Sequence, residues 1–101
     1  MSNPQQSSVR KNIVIDVKQF CEMFPRIGDN IEELEPTMKR LETYADLALA
    51  NGDDVSEEIG KLRDALTQLA NFNSDSVEER HQLYREVRAV RDELVQRFGD
   101  A

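Results

Sequence analysis

"NIEELEPTMKRLETYADLALANG", residues 30–52, decides the fold class. Within it Ile31, Leu34, Met38, Leu41, Ala45 and Ala48 recur at spacings of 3, 4, 3, 4 and 3. That rhythm puts all six on one stripe of an α-helix; a strand, which alternates every second residue, would scatter them over both faces. The ends of the stretch agree. Asn30 can accept a hydrogen bond from the amide of Glu33, whose carboxylate can reach back, as in a capping box, and Gly52 can take the left-handed conformation that closes a helix. Pro36 interrupts the pattern. Either the helix kinks there or it starts there, since proline is tolerated in a first turn, where its missing N–H would lack a partner anyway.

Working outward, residues 54–72 carry Val55, Ile59, Leu62, Leu66 and Leu69 at spacings of 4, 3, 4 and 3, with Phe72 finishing the stripe and Asp54 and Ser56 as rival N-caps. The polar "NSDS" at 73–76 follows, and Ser76 with Glu79 forms another capping box that opens a third helix, ending at Gly99. Its apolar face is centred on Leu83, Val87, Val90, Leu94 and Phe98. "NGDD" at 51–54 and "NSDS" are short connections of the kind that join antiparallel neighbours, so residues 30–98 should form an up-down-up array.

The N-terminal segment reads two ways. As a helix, Ile13, Val17, Phe20, Phe24 and Ile27 share a stripe, with Val14 and Cys21 on its shoulder. As a strand, Ile13, Ile15 and Val17 alternate with Val14, Asp16 and Lys18, and the β-branched residues favour it. The helix is preferred, because one strand without a partner leaves a ladder of backbone groups unsatisfied. "PRIGDN" at 25–30 turns the chain, and "MSNPQQSSVRK" at 1–11 reads as a flexible polar tail. The expectation is therefore all-α: an antiparallel bundle of three long helices plus an N-terminal helix, forming one domain over residues 12–101 behind a tail at 1–11.

Bulk properties narrow the function. A chain of 101 residues has room for one core. With 39 % hydrophobic and 33 % charged residues it is built to fold rather than to stay disordered. The apolar "IVI" at 13–15 falls far short of the ~18 residues that a membrane span needs, and residues 1–11 lack the apolar stretch of a secretory signal. One cysteine, Cys21, allows no internal disulfide, which points to a reducing cytoplasm. A net charge of −7 argues against direct nucleic-acid or anionic-membrane binding, both of which reward positive charge.

The sequence offers little for catalysis. A nucleophile needs a base beside it held by a third group, and Cys21 and His81 lie on different elements. Neither glycine-rich phosphate motif occurs. Glu78 and His81 share the spacing of di-metal helical bundles, but only one such pair exists and it falls opposite the apolar face, so it should be solvated. No enzymatic activity, cofactor or metal is expected; a metal bundle assembled from two chains is the weakest of the readings considered.

Two surfaces remain. Glu32, Glu33, Glu35, Glu42, Glu57 and Glu58 make the middle helices acidic, which ordinarily serves solubility but could compete with nucleic acid for the basic groove of an enzyme. The stretch 80–98 holds five arginines and no lysine. On that helix Glu79, Glu86 and Glu93 flank one side of the apolar face, while Val77, Tyr84, Arg88, Arg91 and Val95 form a second stripe on the other. Arginine and tyrosine are favoured at protein contacts, because the guanidinium fork binds carboxylates bidentately and the ring buries area at little entropic cost. The same stripe could instead pack on residues 13–27 of its own chain. The leading expectation is a non-enzymatic protein-interaction module, an adaptor, small chaperone or inhibitor subunit that self-associates through this stripe. The alternative is an acidic inhibitor of a nucleic-acid-processing enzyme.

Overall fold

The computed structural model describes residues 4–24, 31–71 and 77–99, and almost all of them lie in four helices: α1 (Pro4–Met23), α2 (Glu35–Ala50), α3 (Ser56–Ala70) and α4 (Val77–Phe98). Among the described residues no strand occurs, so the N-terminal segment takes its helical reading. The fold is the all-α bundle foreseen from the spacing.

Helix α1 corrects one expectation. It begins at Pro4, so residues 4–11 are helical, not a tail. Proline suits a helix start, and Val9, four residues before Ile13, extends the apolar stripe inward to 5 % exposure. Two polar side chains then fasten the first turns to the α2–α3 connection. The Arg10 guanidinium donates from Nε and Nη2 to the two carboxylate oxygens of Asp53, both at 2.6 Å, and Gln6 Nε2 donates to the Asn51 carbonyl at 2.9 Å.

The stretch 30–52 is divided. Ile31–Glu33 form a short 3-10 turn, Leu34 stands at the N-cap position with no side-chain cap, and α2 starts at Glu35 with Pro36 in its first turn. The proline thus marks the beginning of the helix rather than a kink. The capping box assigned to Asn30 cannot be followed, since Asn30 lies outside the described residues, as do Ile27, Phe72 and Ser76. At the other end Asp53 N donates to Ala48 O and Gly52 N to Leu49 O, at 2.8 and 3.1 Å, with Gly52 at φ +93. This is a Schellman closure, and it needs the one left-handed glycine. Neither rival caps α3: Val55 holds the N-cap position without a side-chain cap, and Asp54, one residue ahead of it, accepts the Ser56 amide at 3.0 Å.

Helix α1 packs on α2 and α4, and α3 packs on the same two, so α1 and α3 are diagonal, as are α2 and α4. Cross-links fix the directions. The start of α1 meets the end of α2 through Gln6 and Asn51, and Arg40 of α2 reaches Asp16 in the middle of α1. Arg97 near the end of α4 reaches Glu58 near the start of α3. All neighbours are therefore antiparallel, giving an up-down-up-down four-helix bundle. Its core takes Ile13, Val17 and Phe20 from α1, Met38 and Leu41 from α2, Leu62 from α3 and Leu94 from α4, with Leu34 and Val55 from the connections, all fully or almost fully buried.

Candidate interaction face

Each helix of a square bundle must cover two neighbours, so α4 needs an apolar arc wider than one partner requires. That requirement explains most of its second stripe. Tyr84 and Val95 are half-buried against the core, on the side of α4 that faces α1. Arg91 is also half-buried: it binds its neighbour Asp92 at 2.8 Å and points Nη1 at the Cys21 sulfur of α1, 3.7 Å away. Cys21 is fully buried, and burial pushes its thiol above the ordinary value, opposed by the positive charges of Arg91 and Arg88 and by hydrogen bonds with Tyr84 and Arg91. His81 is exposed, so the buried thiol and the only histidine do not form a nucleophile and base. Glu78 is exposed as well, and the two face solvent as their spacing implied. Val77 is the first residue of α4.

Arg88 differs from the rest of the stripe. It stays exposed, with its guanidinium carbon 5.7 Å from the centre of the Tyr84 ring. The ring steadies the side chain by a cation–π contact, yet no carboxylate meets it among the described residues. Arg85, three residues earlier and also exposed, lacks one too. Elsewhere four arginines are engaged. Arg10 holds Asp53, Arg40 holds Asp16, Arg63 spans Glu35 and Glu42, and Arg97 holds Glu58 while lying 5.1 Å above the Phe98 ring. Arg80 is half-buried, its Nε enclosed without an acceptor.

Two lysines join the exposed arginines. Lys11 and Lys18 stand two turns apart on the outer side of α1, on the flank that also carries Cys21 and so turns towards α4. Both are exposed and neither forms an ion pair among the described residues. The seam between α1 and α4 is thus rimmed by Lys11, Lys18, Arg85 and Arg88, four cations against two exposed carboxylates, Glu22 and the Arg91-bound Asp92. Sequence reasoning missed Arg85 and the two lysines, because the lysines join the arginines only once α1 is known to lie beside α4.

The acidic surface comes out smaller than its sequence implied. Glu58 is buried at 9 % exposure and accepts from Arg97 Nη1 at 3.3 Å. Glu35 and Glu42 share Arg63, whose hydrogen bonds hold the Glu42 carboxyl below the ordinary range and raise the guanidinium further. Glu57 is exposed beside Lys61 at 3.9 Å. Glu32 and Glu33 remain open to solvent.

Among the described residues no helix is long and apolar enough to cross a membrane, and no three metal-ligating side chains cluster. No protein family, curated protein or solved structure matches the chain.

Proposed function

We propose that the protein is a non-enzymatic interaction module, an adaptor, small chaperone or inhibitor subunit, that binds protein through the α1–α4 rim and assembles with itself. One observation carries this reading. Among the described residues Arg85 and Arg88 are exposed without a carboxylate partner, whereas Arg10, Arg40, Arg63 and Arg97 each reach a carboxylate elsewhere in the fold. A guanidinium already steadied by Tyr84 loses little freedom on binding a second carboxylate, and the fork makes that contact directional. The surface it fits is acidic. The single buried thiol suits a reducing cytoplasm.

The competing reading, an acidic mimic of nucleic acid, has less support, since three of its six carboxylates are tied to arginines of the same chain. Charge reversal at Arg85 and Arg88 separates the two, because both side chains lie outside the core. R85E/R88E should keep wild-type helicity and lose, relative to wild-type bait, capture of itself and of any lysate protein held in low salt. If R85E/R88E captured everything that the wild type does, the rim would be excluded as the binding surface.

A further inference from the structure

Resting on the reading of the rim as a binding surface, we infer that the occupant is a second copy of this chain docked head to tail, its α3–α4 groove receiving Arg85 and Arg88. A symmetric rim-to-rim contact would bring together Arg85, Arg88, Lys11 and Lys18 of both copies with only Glu22 and the Arg91-bound Asp92 to offset them, and an excess of like charge across an interface is disfavoured. A denser set of carboxylates lies on another surface of the second copy, in one concave site.

Between α3 and α4 runs an open groove of about 370 Å³ bounded by Asp64, Glu86 and Glu93, with Lys61 as its one cation and Ala89 and Val90 as its apolar lining. None of the three carboxylates forms an ion pair among the described residues, unlike Glu35, Glu42 and Glu58. Glu86 and Glu93 are seven residues apart on α4, as Lys11 and Lys18 are on α1, so both pairs span about 10.5 Å along their helices. The charges of rim and groove match in sign, and the repeat of the groove is matched by the two lysines that flank the docked arginines on the rim. The apolar lining gives the arginine stems something to bury against.

Rim and groove lie on opposite flanks of α4. A contact between them leaves one rim and one groove unoccupied, so assembly continues until it closes as a ring or extends as a filament.

Sedimentation of two neutral variants decides the matter. Glutamine avoids creating a new complementary pair, so one variant is R85Q/R88Q and the other is E86Q/E93Q, each with wild-type helicity by circular dichroism. At a concentration where the wild type assembles, each alone should sediment as a single chain of 11.6 kDa. Mixed in equal amounts they should form a complex of two chains and stop there, because the intact groove of one meets the intact rim of the other. A mixture that stays single-chain, or an E86Q/E93Q variant that assembles like the wild type, would overturn the head-to-tail mode and leave the rim standing. An R85Q/R88Q variant that assembles like the wild type would overturn both. A wild type that stays single-chain at every concentration would overturn self-docking, and capture by the rim would then decide the broader reading.

Discussion

Asp53 shows what a single residue does in this bundle. It sits in the connection between α2 and α3, its side chain about 10 % exposed, and it ties the first turns of α1 to that connection through Arg10 and Gln6. The hydrogen bond from Arg10 holds its carboxyl below the ordinary range despite the opposing effect of burial. Because the folded value lies below the unfolded one, its contribution is complete above the unfolded value and is lost as pH falls through the folded one. Glu42, held low by Arg63, acts in the same direction. Stability should therefore decline as pH drops below about 4. D53N should cost about 2 kcal/mol at neutral pH, the scale of a charge-assisted hydrogen bond lost from a partly buried site, and should flatten part of that acid decline. Urea unfolding at neutral and acidic pH checks both; a D53N protein with the wild-type pH dependence would show that the pair contributes nothing. None of this was legible in the sequence, because Arg10 and Asp53 are 43 residues apart and no local pattern joins them.

At the scale of elements, spacing was the reliable guide where an apolar stripe was long. Met38, Leu41, Ala45 and Ala48, and Ile59, Leu62, Leu66 and Leu69, are buried as their period implied. The start of α1 was missed because "PQQSS" carries no apolar residue before Val9, and its helix is held by the Asp53 contact more than by local preference. The second stripe of α4 was legible as an amphipathic excess, but its cause was not: Tyr84 and Val95 face α1, whereas Arg88 and its neighbour Arg85 stay exposed. The α1 correction has a direct test. Removing residues 1–11 takes away Val9 and Arg10, and the melting temperature should fall by about 10 °C or more on the usual scaling for a domain this small. A shift within error would restore the reading of 1–11 as a tail.

For the whole molecule, charge is distributed by position and not only in sum. The chain is acidic overall, yet among the described residues the α1–α4 rim holds four cations without an ion pair while the α3–α4 groove holds three carboxylates without one. Net charge alone would predict mutual repulsion between copies; the polar arrangement predicts attraction that salt weakens. Sedimentation equilibrium of the wild type at micromolar concentrations, in low and in high salt, tests this most directly. The account predicts a mass well above 11.6 kDa in low salt that falls towards that value in high salt. A mass of 11.6 kDa in low salt at every concentration would contradict it.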